Sequence, residues 1–461
     1  MVFSSIEFLF YFLPPALALY FVLPARCRNA ALLVSSAVFC LWGAPRMFPL
    51  MLAQLLLGWA LSLQMEKRQK HAALMWLAAA VSLLPLLVFK YAAFFTDTLA
   101  SLVGVSLPAL RFAMPLGLSF YSFQLLGYLA DVWRGDAKAQ QNVVDYLCYM
   151  LGFMQFTAGP ILSYRDVAPQ LAARTATAED AAAGVQRFIL GLAKKVLVAD
   201  QLAGFISAYN ASGSRTVLFA WGYAAAVSLQ LYYDFSGYSD MALGLGRMFG
   251  FRFAENFDHP FVSRSITEFW RRWHMSLGRW FKEYIYFPLG GNRVSRARWF
   301  FNIFVVWATT GLWHGAAWTY VLWGLLFAVL LVAEKLFLLK TLEKSRVLCH
   351  VYVLFFVAVS FVLFSAADFA AAWRDLSALF GMGVPFAGSE SSYYLQSYGP
   401  LLLAAMLGST RLPAKLVKKL EEGRFAAAVH VLRIPVLLAL FLLCTAYLVD
   451  GSFAPFLYNQ Y

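Results

Sequence analysis

No aspartate, glutamate, lysine or arginine interrupts the stretch Asn302–Leu331, NIFVVWATTGLWHGAAWTYVLWGLLFAVLL. An α-helix needs about 20 mostly apolar residues to cross a bilayer. The stretch contains parts of two apolar runs, one ending at Trp318 and the next beginning at Val321. It therefore predicts that the chain enters a membrane here, and it places one histidine, His314, within the apolar region.

Apolar runs of this kind recur along the whole chain. Hydrophobic residues make up 61% of the 461 residues and charged residues only 13%, with a mean hydropathy of +0.66. A soluble protein carries about 25% charged residues. We therefore expect an all-α, polytopic integral membrane protein with about eleven to thirteen membrane helices, some of them tilted or re-entrant. Because no internal repeat or long linker divides the sequence, we expect a single domain over residues 1–461.

The net charge of +13 is concentrated in short polar segments. Arg26 with Arg28, and the segment Glu66–His71, flank two predicted membrane segments, so the positive-inside rule puts both in the cytoplasm and the N-terminus outside. A third segment, Arg411–Arg424, holds five basic and two acidic residues, and we expect it at the cytoplasmic surface. In a membrane protein such segments bind an anionic leaflet, which favours membrane lipid over nucleic acid as their partner.

The region Phe251–Arg298 is both basic and aromatic, with nine Arg and Lys against four Asp and Glu. Ser265 followed by Glu268 forms a capping-box pattern that predicts the start of a helix. At three- and four-residue steps along that helix, one face would carry Trp270, Trp273, His274, Leu277, Phe281 and Tyr284. An amphipathic helix at the membrane interface explains this pattern without any catalysis. It does not, however, require a histidine on the aromatic face.

Two of the six histidines are candidates for chemistry. An ionisable residue at membrane depth is costly and suggests function, which singles out His314; on a helix, Trp307, Gly311 and Trp318 would share its face. Neutral imidazole can act as a general base near pH 7, and a hydroxyl nucleophile needs such a base. The alternative for His314 is a neutral histidine hydrogen-bonded inside the helix bundle, and for His274 an interfacial position. Both alternatives stay open on these residues alone.

Other functional classes have weaker support. Two histidines without a third clear ligand do not predict a metal site, and the five scattered cysteines lack a Cys-x-x-Cys pair. No Gly-x-Ser-x-Gly, His-Glu-x-x-His or phosphate-binding loop occurs. A transporter would predict several buried charges along a path and often inverted repeats. A non-catalytic scaffold of a polysaccharide export complex would need neither histidine.

Ordered motifs along nearly the whole chain are similar to those of one family. The most specific are TEFWRRWH at Thr267–His274 and GLWHG at Gly311–Gly315. The others are Met1–Ser5, Phe8–Phe10, Met114–Tyr121, Asp131–Gly135, Ala158–Pro160, Lys194–Asp200, Tyr233–Met241 and Pro288–Arg293. Together they resemble the membrane-bound O-acyltransferases, specifically the bacterial branch of alginate O-acetylases and peptidoglycan or exopolysaccharide O-acetyl exporters.

The resemblance implies a function and a site. His314 matches the family's catalytic histidine and His274 its second one, in a fold that forms a funnel or channel. No permanently bound cofactor is implied, since acetyl-CoA or a similar acyl thioester is the donor substrate and approaches from the cytoplasm. Basic residues, among them Lys282, would contact the donor phosphates, although interfacial anchoring explains them too. The implied substrate-binding residues are Trp270, Arg271, Arg272, Trp273, Asn292, Arg293 and Trp313.

The resemblance also implies an acyl relay and a partner. Phe456 and Tyr458 fit a terminal motif in which the tyrosine carries the acyl group, although Tyr461 stands where the usual last residue is phenylalanine. A phenol with a pKa of about 10 would need a base such as His314, and an aromatic membrane anchor is the alternative role. The implied partner is a periplasmic or extracellular polysaccharide O-acetyltransferase, and the implied location is the bacterial inner membrane. D-alanyl transfer is the nearest alternative chemistry.

Overall fold

The computed structural model of the protein describes residues 1–68, 70–105 and 112–451. Within these ranges the backbone is helical or irregular and contains no β-strand, which confirms the predicted all-α class. Among the described residues, five helices are long and apolar enough to cross a membrane. They are Phe48–Lys67, Ala72–Val103, Trp318–Leu342, Arg346–Ser365 and Ala426–Val449. The expected total of about eleven to thirteen membrane helices stays a prediction.

The described chain forms two compact units. The first, which we call the N-terminal unit, consists of the described residues of Met1–Phe188 together with Ala242–Ala254. Its helices are α1 (Leu13–Val22), α2 (Arg28–Gly43), α3 (Phe48–Lys67), α4 (Ala72–Leu86), α5 (Ala92–Val103), α6 (Leu118–Arg134), α7 (Val143–Leu151), α8 (Tyr164–Ala172) and the first part of α9 (Ala178–Ala193).

The second unit, which we call the histidine unit, consists of Ile189–Met241 together with the described residues from Glu255 onwards. Its helices are the end of α9, α10 (Asp200–Ala211), most of α11 (Val217–Met248), α12 (Ile266–Arg272), α13 (Met275–Phe281), α14 (Arg296–His314), α15 (Trp318–Ala333), α16 (Leu339–Leu342), α17 (Arg346–Ser365), α18 (Phe369–Leu379), α19 (Ser389–Gly408), α20 (Leu412–Glu421) and α21 (Ala426–Val449). A single functional domain over residues 1–461 stays a prediction.

The N-terminal unit is built on a buried aromatic cluster. Phe8 lies at its centre, with ring centroids 4.8 Å from Phe3, 5.5 Å from Phe12 and 6.3 Å from Phe153. A buried hydrogen bond joins two helices of this unit, because the Tyr128 hydroxyl donates to the Ser62 hydroxyl at 3.0 Å. Such pairing is required where water is excluded.

In the histidine unit, two glycines let helices α14 and α15 pack backbone to backbone. A Cβ atom at Gly311 would lie 2.2 Å from the carbonyl oxygen of Tyr320, and one at Gly324 would lie 2.2 Å from that of Trp307. Both distances are far below van der Waals contact, so only glycine fits, as at close helix crossings in membranes. This packing fixes the end of α14, where His314 lies, against α15.

A buried ion cluster holds a second part of the histidine unit. The Lys195 ammonium lies 2.7 Å from a carboxylate oxygen of Asp200 and 2.7 Å from one of Asp234, with all three side chains at most 3% exposed. Lys195 belongs to the π-helical segment Lys194–Ala199, and Asp234 belongs to α11. The cluster therefore joins these two elements next to Phe235, whose ring contacts His274.

Candidate active site

His274 lies at a break between two short helices. Helix α12 ends at Arg272, Trp273 is extended, and His274 has the left-handed conformation with φ 45° before α13 begins at Met275. The continuous aromatic-faced helix expected from the sequence is therefore wrong. The break is stabilised from outside, because the Met275 amide donates to the Asn256 carbonyl at 3.0 Å. A left-handed residue other than glycine costs about 1–2 kcal/mol, which such contacts must offset.

The side chain of Asn256 determines how the His274 imidazole is held. Its Oδ1 accepts the backbone N–H of Ser276 at 3.1 Å and lies 3.3 Å from His274 Nδ1. Since the Ser276 amide can only donate, this atom is the oxygen, and His274 Nδ1 must carry the hydrogen. The other ring nitrogen, Nε2, is buried without a hydrogen-bond partner among the described residues. His274 therefore presents an unprotonated Nε2 that can accept a hydrogen bond from a bound molecule.

Burial also fixes the charge of His274. The side chain is only 2% exposed, and its ring packs edge-on against Phe235 at 4.6 Å. Burial lowers the pKa of the His274 imidazole to about 3, because the charged form loses its hydration. The imidazole is accordingly neutral at physiological pH.

Helix α12 is anchored at its N-terminus by two side chains. The Ser265 hydroxyl accepts the Glu268 amide at 3.0 Å, as the sequence predicted. The buried carboxylate of Glu334 accepts the amide N–H groups of Ile266 at 2.5 Å and Thr267 at 2.9 Å. A carboxylate at this position also interacts favourably with the helix dipole. The start of α12 is thus fixed to the helical segment that follows α15.

Arg272 is held by ion pairs to two acidic side chains. Its guanidinium donates to Asp258 Oδ2 at 2.7 Å and to Glu268 Oε1 at 2.8 Å, the second being the pair predicted from the sequence. Asp258 is also 2.9 Å from Arg411. Arg272 does not line the cavity described below. Its contacts instead connect the segment before α12 to the end of α12.

His314 is the last residue of α14 and is only 3% exposed. Its ring packs against three aromatic rings, with centroid distances of 5.0 Å to Trp313, 5.1 Å to Trp323 and 5.4 Å to Phe364. The expectation that Trp318 shares its helix face is wrong, because α14 ends at His314 and Trp318 starts the next helix. Instead, the His314 ring contacts Trp323 of α15, which the sequence did not single out.

Trp313 links the two histidines. Its ring centroid lies 5.9 Å from that of His274 and 5.0 Å from that of His314. Two histidines 40 positions apart in the sequence thus contact the same indole. The sequence-predicted pair is brought together in one aromatic site through Trp313, and neither Trp313 nor His314 lines the cavity described below.

A cavity of about 550 Å³ opens beside His274. Its apolar wall includes Trp270, Trp273 and Trp307, and four cationic side chains line it, each exposed to solvent in part. These cations are Arg271, Arg279, Lys282 and Lys335. One of them is partly neutralised, since Arg279 pairs with Glu283 at 3.0 Å. A cavity of this size with a basic rim suits an anionic ligand with an apolar portion.

Several sequence-predicted residues lie elsewhere. Asn292 and Arg293 are exposed in the turns before α14 and do not line the cavity, and Tyr458 lies outside the described residues. Conversely, Lys335 lines the cavity but was not predicted from the sequence, where its only signal is a single lysine following a long apolar run. In residues 1–68, 70–105 and 112–451, no three His, Cys, Asp or Glu side chains are grouped to hold a metal ion.

Comparison with known proteins places the same residues in a family context. A model of the membrane-bound O-acyltransferase family matches residues 137–372, which include both histidines. The chain is 41% identical over 392 residues to a probable alginate O-acetylase of Azotobacter vinelandii, covering 83% of this chain and 79% of the relative. It is 30% identical to a peptidoglycan O-acetyltransferase of Helicobacter pylori, covering 83% and 80%. A teichoic acid D-alanyltransferase of Bacillus subtilis is 29% identical, covering 55% and 69%.

Proposed function

Because the chain belongs to the membrane-bound O-acyltransferase family and is an integral membrane acyltransferase, we propose that it moves an acetyl group across the bacterial inner membrane. The donor is a cytoplasmic thioester such as acetyl-CoA. The final acceptor is a hydroxyl of a cell-surface polysaccharide. The observation that carries the proposal is the joining of His274, Trp313 and His314 in one buried aromatic site beside a basic-rimmed cavity.

The cavity supports a thioester donor with phosphate groups. Arg271, Lys282 and Lys335 supply cations at its exposed rim, where phosphates would stay partly hydrated. The wall formed by Trp270 and Trp307 accommodates the less polar arm that leads to the thioester. This arrangement directs the charged end of the donor to solvent and its acyl end toward His274.

The two histidines divide the chemistry. His314 takes the proton of the attacking hydroxyl as the oxygen bonds to the acyl carbon; the carbon–sulfur bond then breaks, and the thiolate leaves and takes up a proton. His274 is neutral, and its Nε2 accepts a hydrogen bond from an N–H group of the donor, which orients the donor and leaves the hydroxyl proton to His314. The attacking hydroxyl in this scheme is that of Tyr458, which would carry the acyl group outward as an ester.

A separate enzyme completes the reaction on the outer side. The relatives are named for alginate, peptidoglycan and teichoic acid, which supports a cell-envelope glycan as the acceptor. The proposed partner is a periplasmic or extracellular O-acetyltransferase that acts on this glycan. D-alanyl transfer is the second candidate, favoured by the teichoic acid D-alanyltransferase relatives. Identifying the released acyl group distinguishes the two.

The experiment compares ester-linked acetate on the cell envelope in strains that carry the wild type, His314→Ala or His430→Gln. His430 is exposed in α21 and serves as the matched control. We expect the acetate to disappear in His314→Ala at normal protein level and to persist in His430→Gln. Acetate at the wild-type level in His314→Ala would show that the catalytic assignment is wrong. Tyr458→Phe tests the relay separately, and unchanged acetylation in that strain would exclude it.

A further inference from the structure

Helix α20, Leu412–Glu421, is amphipathic and has no buried residue. Leu412 is 57% exposed, Leu416 59% and Val417 49%. At 100° per residue these side chains and Leu420 fall within one arc of the helix. Lys415 and Lys418 fall on the other side, and Lys419 lies at the edge of the arc beside Leu412. Within the described part of the chain, no other residues bury this apolar face.

The charge of this segment is strongly positive. Between Arg411 and Arg424 there are five basic residues and two acidic ones. The contact between Lys418 and Glu422 is long, at 3.6 Å, and both side chains are more than two-thirds exposed. Such a pair contributes little, so the basic face stays available for anionic groups.

The position of α20 in the chain points to a bilayer surface. Three residues separate α20 from the end of α19, and four residues separate it from the start of α21. Helix α21 is a 24-residue candidate membrane span with a mean hydropathy of 2.3. A helix tied so closely to the end of a membrane span lies at the level where headgroups meet acyl chains. Its apolar face then contacts the acyl chains, and its lysines contact the headgroups of the same membrane.

Ion pairs connect the start of α20 to the segment that holds His274. The Arg411 guanidinium, at the start of α20, is 2.9 Å from the Asp258 carboxylate, which is 2.7 Å from that of Arg272. The segment that shapes His274 and the helix α20 are therefore neighbours. Both are rich in arginine and lysine, which the positive-inside rule assigns to the cytoplasmic side.

We propose that α20 is an anionic-lipid-binding surface that lies flat on the cytoplasmic leaflet. Leu412, Leu416 and Leu420 enter the boundary between headgroups and acyl chains, and Lys415, Lys418 and Lys419 contact lipid phosphates. The partner is the membrane surface itself, and phosphatidylglycerol is a suitable anionic lipid. This inference does not depend on the acyltransfer chemistry.

The test measures the exposure of α20 in lipid nanodiscs. The full-length chain carries an environment-sensitive fluorophore on Leu416→Cys, with the half-buried Cys27 changed to serine. The nanodiscs contain either phosphatidylcholine alone or an equal mixture with phosphatidylglycerol, and acrylamide is the neutral quencher. Three charge forms are compared, namely wild type, Lys→Arg and Lys→Gln at positions 415, 418 and 419 together.

We expect acrylamide quenching about threefold weaker in the anionic nanodiscs than in phosphatidylcholine for the wild type and the Lys→Arg form, because surface attraction adds with each cation. The Lys→Gln form should lose this difference while keeping its thermal denaturation midpoint. Equal quenching in both nanodiscs for the wild type would overturn the proposal. Equal protection in detergent without lipid would overturn it too, since protein rather than lipid would then cover the face.

Discussion

The hydrogen bonds of Asn256 give a quantitative prediction for the site. The change Asn256→Ala removes the oxygen that accepts from Ser276 N–H at 3.1 Å and faces His274 Nδ1 at 3.3 Å. Each buried donor left without an acceptor costs about 1–3 kcal/mol. Because the second contact is long, we expect a total of about 2–4 kcal/mol. The variant also loses the bond that selects the tautomer of His274.

The same loss should appear in the transfer rate. If about 2 kcal/mol of this free energy is lost from the transition state because His274 is no longer oriented, the rate drops roughly thirtyfold, since 1.36 kcal/mol is a factor of ten. The assay follows labelled acetyl transfer by purified protein in nanodiscs, expressed per folded molecule.

Asn302→Ala is the matched control for this experiment. Asn302 is also fully buried, and its amide donates to the carbonyls of Leu289 and Gly291 at 3.1 and 3.0 Å without contacting either histidine. We expect it to lower the denaturation midpoint while the rate per folded molecule stays within about threefold of wild type. A rate for Asn256→Ala within twofold of wild type would refute the positioning of His274 by Asn256.

Three further predictions follow from packing, charge and burial. Gly311→Ala puts a Cβ 2.2 Å from the Tyr320 carbonyl oxygen, so the helices must separate, and we expect a lower denaturation midpoint and a cost of about 1–3 kcal/mol; an unchanged midpoint would contradict this packing. Arg271→Gln with Lys335→Gln should raise the KM for the thioester about tenfold or more with little change in kcat, and an unchanged KM would remove the cavity from donor binding. Because the His274 pKa is about 3 when folded and about 6.5 when unfolded, the unfolded state binds the proton first, so stability falls by up to about 1.4 kcal/mol per pH unit below pH 6.5. Thermal scans should show a shallower acid limb in His274→Gln, and parallel limbs would count against a buried neutral imidazole.

Much of the fold follows from local pattern. Hydropathy alone predicts an all-helical membrane protein, because each apolar run can satisfy its backbone only as a helix in lipid. The Ser265 cap and the pair between Glu268 and Arg272 were also predicted, since both depend on residues within one turn. Local signals are sufficient where the stabilising partner lies nearby in sequence.

The geometry of the site depends on distant partners and could not be predicted in the same way. The left-handed conformation of His274 is held by Asn256, which is 18 positions away and outside the helical periodicity. Lys335 reaches the cavity from the far end of an apolar helix, and its sequence neighbours give no indication of that. His274 and His314 both contact Trp313, a tertiary arrangement that the motifs did not predict although they implied both histidines.

The most direct test of the acyltransfer site is a single-turnover measurement on the purified protein in nanodiscs. Excess protein is mixed with labelled acetyl thioester, and the loss of thioester is followed for the wild type, His314→Ala, His314→Gln and His430→Gln, each with a confirmed denaturation midpoint. We predict rapid thioester cleavage by the wild type and His430→Gln, and at least a hundredfold slower cleavage by both His314 variants, because general base catalysis usually contributes about 10²–10⁴. Cleavage by folded His314→Ala at the wild-type rate would contradict the assignment of His314 as the base.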